Sequence, residues 1–393
     1  MLRKNLLLLA TCQGLMLSST SLTMATSALV GVSLAPRASL ATLPLGLTYL
    51  SMMLTMIPGS LLMKRYGRRV GFTLGGFAGI FGGSISAIAI YNSSFSLFCF
   101  GSSLFGVANG FAQFYRFAAT EVAEPAYKSR AISWVLAGGL AAAFVGPNVA
   151  RITREMIPDA MFSASYACIA IFSLCVILVQ FFLRIPIPSD EEVSGHRRPL
   201  TFVLTRPVFM VAALCAMIAY GTMNLLMTAT PLAMDMRSLP FSDTAIVIQW
   251  HIVGMFAPSF FTGNLIHRFG VLRVMFVGAL LLLGCALVSL FGQSYTQFFS
   301  GLVLLGVGWN FLFVGGTTLL TEVYLPAEKG AVQGINDFMV FSATAFTALT
   351  SGYFHHVLGW EKLNLFTIPM VCFAAISILI LGMNSRLRNI QAT

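Results

Sequence analysis

The chain is written in long apolar runs separated by short polar breaks. Twelve such runs fall at about 5–33, 40–63, 70–91, 95–119, 131–150, 160–183, 208–232, 243–266, 271–292, 296–321, 331–352 and 363–384. Each approaches the roughly 20 residues that a helix needs to cross a bilayer core. The opening MLRKNLLLLA has the look of a signal peptide, but no small-residue cleavage site interrupts it before the run continues towards residue 33, and it reads as the first span. The longest polar interruption, Arg184 to Pro207, divides the runs six to six. The pattern predicts an all-α membrane protein: an N-terminal six-helix bundle over 1–184, a cytoplasmic linker over 185–207 and a C-terminal six-helix bundle over 208–393.

The two halves echo each other. TEVAEPAYK (Thr120 to Lys128) ends the fourth span and TEVYLPAEK (Thr321 to Lys329) ends the tenth, an offset of 201. RYGRR (Arg65 to Arg69) follows the second span and RFGVLR (Arg268 to Arg273) the eighth, with Gly67 and Gly270 offset by 203. Two separate loops on nearly one period point to an internal repeat, a known way of building secondary transporters.

Composition supports the membrane assignment, with 57% hydrophobic residues, 9% charged and a mean hydropathy of +0.85. All seven cysteines lie inside apolar runs, which argues for buried thiols and against a disulfide framework. The net charge of +10 is explained by topology. Of the 23 Lys and Arg, seventeen fall on the side of the N-terminus, five on the other and Arg116 within a span. The positive-inside rule then places both termini in the cytoplasm, and the charge calls for no nucleic-acid partner.

The stretches SLLMKRYGRR (Ser60 to Arg69) and GNLIHRFG (Gly263 to Gly270) resemble the loop motif of the major facilitator superfamily, and VGPNVA (Val145 to Ala150) resembles the remnant of a span-five motif of its antiporters. Lys64 and His267 stand where the loop motif carries an acid. This resemblance implies two six-helix bundles related by a pseudo-two-fold axis and an alternating-access mechanism.

Ionisable residues inside a membrane are costly and mark candidate functional positions. Asp337, in the eleventh span, is a candidate coupling group, since burial raises a carboxylic acid's pKa. Glu121 and Glu322 sit at the cytoplasmic mouths of spans four and ten, and Arg116 lies about one turn from Glu121. These are candidate gating residues, with a local ion pair and helix capping as the structural alternatives.

Two further pairs are uncharged. Met223 and Met227 stand four apart on span seven, and His251 and Met255 four apart on span eight, so each pair shares a helix face. Counted from the ends of the apolar runs, Met223 and Met227 lie about 13 and 8 Å below the outer surface, and His251 and Met255 about 12 and 18 Å. Thioether and imidazole are soft, neutral donors that suit a monovalent soft metal, whereas Mg²⁺ and Ca²⁺ demand oxygen. Methionine also fills apolar gaps, and Met52 with Met56 repeats the spacing without further support. Met234 and Met236 in the loop after span seven, and His355 and His356 in the loop after span eleven, are candidates for metal capture. Cys215, two turns below Met223, is a candidate relay.

MNLLM followed by HIVGM is similar to the hallmark of the CcoA-like copper importers, a branch of the major facilitator superfamily that supplies copper for cbb3-type cytochrome c oxidase in bacteria. The resemblance implies copper, as an ion or a small complex, carried across the bacterial cytoplasmic membrane by Met223, Met227, His251 and Met255, with handover to a cytoplasmic chaperone or exporter. Copper is then the substrate, and no permanent cofactor is expected. The alternative is a proton-coupled transporter of a small organic solute or drug, with Tyr220, Asn224, Trp250, Trp309 and Asn310 as candidate lining residues. No catalytic constellation or phosphate loop appears, so the chain is not expected to be an enzyme.

Overall fold

The structure, a computed structural model, describes residues 2–115, 118–119, 128–183, 198–325 and 328–391. Its first half holds α1 (Leu2–Leu34), α2 (Leu43–Tyr66), α3 (Arg68–Tyr91), α4 (Phe95–Ala112), α5 (Lys128–Thr153) and α6 (Ser163–Gln180). After a short helix, Leu200–Leu204, come α7 (Pro207–Met236), α8 (Phe241–Phe256 continued by Ser259–Phe269), α9 (Val271–Leu290) and α10 (Tyr295–Thr321). The segment Lys329–Gln391 breaks at Gly359 (φ 75°) into α11 (329–358) and α12 (360–391). Among the described residues nine helices are long and apolar enough to cross a membrane, ten if the bent α8 is one span, and one of these, Ala331–Met383, contains both α11 and α12. No strand occurs among the described residues. Lipid offers no hydrogen bonds, so only elements that satisfy their own backbone persist.

The α2–α3 and α8–α9 turns have the same backbone, Gly67 at φ 85° and Gly270 at φ 87°, a left-handed geometry that favours glycine. The basic loop motifs therefore adopt one shape at one end of the molecule, here termed the basic end. Within the first half, α3 packs on α4 and α6, and α1 on α5 and α6. Small residues bring these helices close: a Cβ on Gly82 would lie 2.6 Å from the Phe105 backbone, and one on Gly83 2.6 Å from that of Ala170. In the second half α7, α8 and α9 all pack on α10, with α7 also against α11.

The halves meet through α2 with α11, α5 with α8, and α1 with α7. The described contacts gather away from the basic end. There the Gly352 N–H donates to Thr42 Oγ1 (2.9 Å), Asn148 Nδ2 donates to Gln249 Oε1 (3.0 Å), and Arg154 lies over the rings of Phe162 and Phe241. Ser342 Oγ donates to Met53 Sδ (3.1 Å) nearer the middle. The molecule is thus closed at the far end.

The helix α8 breaks for a local reason. Pro258 carries no N–H, and the two pieces meet at 42°. Asn310 of α10 repairs the gap: its Nδ2 donates to the Met255 carbonyl (2.7 Å) and Ser259 Oγ (2.6 Å), and its Oδ1 accepts from Thr262 (2.7 Å). At the basic end Arg198 grips Glu328 in a fork, Nε to Oε1 at 2.9 Å and Nη2 to Oε2 at 2.6 Å, and also donates to the Val323 carbonyl.

Two outcomes follow from this packing. A side chain on Gly46 meets the backbone of Leu349 at 2.8 Å, so Gly46→Val is expected to part α2 from α11 at the far end. With the seven native cysteines removed, a cysteine at Leu349 should then react faster with an impermeant maleimide added from the far side; unchanged labelling contradicts the seal. Hydrogen bonding to Arg198 holds the Glu328 carboxyl down at about 2. A carboxylate with a lowered native pKa stabilises the fold fully above its ordinary value of 4.5, and loses that contribution as pH falls towards about 2. Glu328→Gln is expected to lower the melting temperature at neutral pH and to flatten its decline through that acid window, as read by thermal unfolding in detergent.

Candidate functional site

At mid-depth, four helices of the second half turn aromatic side chains towards one another. Tyr220 of α7 meets Trp309 of α10 edge to face with centroids 5.1 Å apart, Phe313 at 4.9 Å and Phe341 of α11 at 5.7 Å. Trp309 stacks on Phe313 at 5.0 Å and receives Phe256 of α8 at 6.2 Å. At 1.5 Å per residue, Tyr220 lies about 20 Å from the basic end of α7, and Trp309 about 21 Å from the far end of α10. The layer also reaches the seam between the halves. A Cβ on Gly139 of α5 would lie 3.1 Å from the Phe256 ring. A mid-membrane position between two bundles is where alternating-access proteins hold their solutes.

The Met and His pairs lie just to the far-end side of this layer. The run-based depths need correction, because α7 continues to Met236 and α8 begins at Phe241. Measured from those ends, Met227 and His251 lie about 14 and 15 Å deep, and Met223 and Met255 about 20 and 21 Å. The two pairs are therefore matched in height. All four residues are buried, Met227 and His251 completely. His251 Nδ1 lies 2.8 Å from the Leu302 carbonyl. A carbonyl only accepts, so Nδ1 carries the proton and Nε2 presents its lone pair, the arrangement that imidazole ligands use. That Nε2 is buried with no hydrogen-bond partner among the described residues. Of the helices carrying the pairs, α7 packs on the α11–α12 segment and on α10, α8 packs on α10 and on α5, and the two touch each other little.

Other candidates are placed differently from expectation. Met234 and Met236 belong to the last turn of α7, not to a loop; Met234 is buried and Met236 exposed. His355 and His356 lie within α11, the first buried and the second exposed. In both places the helix continues past the apolar run, because its own backbone bonds tolerate polar side chains at a membrane surface. Cys215 is fully buried on α7. Glu322 caps the end of α10 and is exposed. Asp337 is half-buried in α11 and accepts from Asn336 Nδ2 at 3.3 Å. Arg116 and Glu121 lie outside the described residues.

Of the candidate lining residues, Tyr220 and Trp309 join the aromatic layer. Asn310 mends α8, and Asn224 Nδ2 bonds the Thr344 carbonyl of α11 at 3.0 Å. Trp250 is 43% exposed, on the outside of the bundle. Phe256, Phe313 and Phe341 went unnoticed, since 34 phenylalanines leave no single one distinctive. A separate crevice of about 330 Å³ opens between α7, α11 and α12, beside Leu214, Phe354 and Phe366. Exposed Phe346 and Phe373 at its rim make it a lipid-facing feature.

The profile of the Major Facilitator Superfamily matches residues 7–257 and 212–390. The riboflavin transporter RfnT of Brucella anthropi is 38% identical over 380 residues, covering 96% of each chain. The uncharacterized MFS-type transporter YddS of Bacillus subtilis (strain 168) is 28% identical over 78% of this chain and 76% of its own. Among solved structures, the D-xylose-proton symporter superposes with a TM-score of 0.74 at 15% identity, over 95% of this chain and 96% of that one. The xylose transporter XylE from E. coli, in a partially occluded inward-open conformation, does so with a TM-score of 0.73 at 13% identity, over the same shares of the two chains. Apolar helices, paired half-repeats and these matches lead to one assignment: the chain is a multi-pass membrane transporter that belongs to the Major Facilitator Superfamily.

Proposed function

We propose that the protein carries a small, flat organic solute of the riboflavin class across the membrane. The observation that carries this reading is the aromatic layer of Tyr220, Phe256, Trp309, Phe313 and Phe341, set at mid-membrane against the seam between the halves. Ring faces bind planar heterocycles by stacking, without charge and without a fixed stoichiometry of polar contacts. The 38% identity to a riboflavin transporter, over nearly the whole of both chains, supports the same solute class. The basic end is assigned to the cytoplasm of a bacterial cell, with both termini there, so the closed far end is the outside. Asp337 is the proposed proton-coupling carboxylate, with Glu322 at the inner mouth.

A second reading is favoured by a specific observation. Met227 with His251, and Met223 with Met255, sit at matched depths, and His251 Nε2 is buried with its lone pair unused. That donor set suits copper in a soft, uncharged site, with handover to a cytoplasmic chaperone. Weak thioether ligation allows release as well as capture.

Uptake by proteoliposomes separates the two. Under the flavin reading, riboflavin accumulates, and Tyr220→Ala lowers the rate by about threefold to tenfold through lost stacking. Under the copper reading, radiocopper accumulates in reductant, and His251→Ala or Met227→Ala abolishes it at normal protein levels. Copper uptake without riboflavin uptake would reverse the order of the readings. For coupling, Asp337→Asn is expected to remove the dependence of uptake on external pH; a profile identical to wild type excludes the proton role.

A further inference from the structure

The aromatic layer contains one polar atom that no group among the described residues uses. Trp309 is 4% exposed, and its indole Nε1 is buried with no hydrogen-bond partner among the described residues. Buried indole N–H groups ordinarily find an acceptor, and leaving one without costs stability. The nearest amide in sequence, Asn310, is committed: its nitrogen serves Met255 and Ser259, and its oxygen serves Thr262. Around the indole stand the rings of Tyr220, Phe256 and Phe313. Such surroundings do not suit an ordered water, which needs two to four polar partners.

We infer that Trp309 is the specificity-determining residue of the solute site, its Nε1–H reserved for an acceptor on the edge of a planar heteroaromatic ring that enters the aromatic layer. This rests on the organic-solute reading and adds to it a chemical class. The indole N–H lies in the plane of its ring, so a solute stacked among the neighbouring faces meets it edge-on. Ring nitrogens and ring carbonyls of the alloxazine type satisfy it, and a polycyclic hydrocarbon of the same outline leaves it unpaired. A site built around a hydrogen bond rejects an analogue lacking the partner more strongly than an apolar site rejects a difference in size.

The test uses full-length protein in proteoliposomes with riboflavin as the transported probe. Trp309→Phe keeps an aromatic face and deletes the donor. It is expected to raise the KM for riboflavin about tenfold while the maximal rate stays within about twofold, the split expected for a lost binding contact. Lumichrome, which has the alloxazine ring without the ribityl chain, should compete with wild-type uptake and lose potency against the variant by a similar factor. Should Trp309→Phe fold poorly, the wild type alone decides: lumichrome must inhibit riboflavin uptake far better than anthracene, which has no acceptor. Equal inhibition by the two, or an unchanged KM in a well-folded variant, overturns the role of Trp309 while the flavin reading stands. Absence of riboflavin binding and transport in wild type overturns both.

Discussion

A hydrocarbon core offers no partner to an amide, a hydroxyl or an imidazole, and this constraint shapes each level of the structure. Backbone groups pair within helices, so the chain crosses the membrane as helices or not at all. Where a helix must break, a neighbour binds at the bend: Asn310 reaches from α10 to the Met255 carbonyl, three residues before Pro258. Where the halves touch, neutral groups pair, as in Asn148 with Gln249 and the Gly352 amide with Thr42, and the one guanidinium among the contacts named above, Arg154, lies over aromatic rings at the far end. Ten buried side-chain polar atoms have no partner among the described residues, eight of them oxygens; the two nitrogens, His251 Nε2 and Trp309 Nε1, lie in adjoining layers near mid-membrane.

These two nitrogens belong to adjoining layers of the second half. The soft Met and His set lies towards the closed far end, and the aromatic layer lies below it at the seam. A central α10 carries Trp309 and Asn310 side by side, one facing the rings and the other bracing α8. The brace matters to both layers, because the bend it stabilises orients Phe256 and the turn bearing His251 and Met255. At the basic end, the Arg198 and Glu328 fork ties the descent into α7 to the loop before α11. Among the described residues, the named ties run within one half at the basic end and across the halves at the far end, the asymmetry an alternating-access device needs in one of its states.

How far the site was visible in advance differed between residues. The four soft donors were found because their i, i+4 spacing and rare type survive in one dimension. Their depths were misjudged, since α7 runs to Met236 through Asp235, where the apolar run has already ended. The same effect turned His355 and His356 from loop residues into helical ones. The aromatic layer was seen only at Tyr220 and Trp309. Its phenylalanines come from α8, α10 and α11, and nothing local distinguishes Phe256 from Trp250, which faces outward instead.

Hydropathy is a sum over a span, so the sequence alone determined the membrane character, the approximate order and centres of the spans, the charge asymmetry and the repeated turns at Gly67 and Gly270. Hydropathy does not depend on how a helix is rotated about its axis. That rotation is decided by contacts between residues far apart in the chain, such as Thr42 with Gly352 or Leu302 with His251. Tertiary structure alone therefore decided which end is closed, which nitrogen of His251 is committed to a carbonyl, and which of the aromatic residues face one another across the centre.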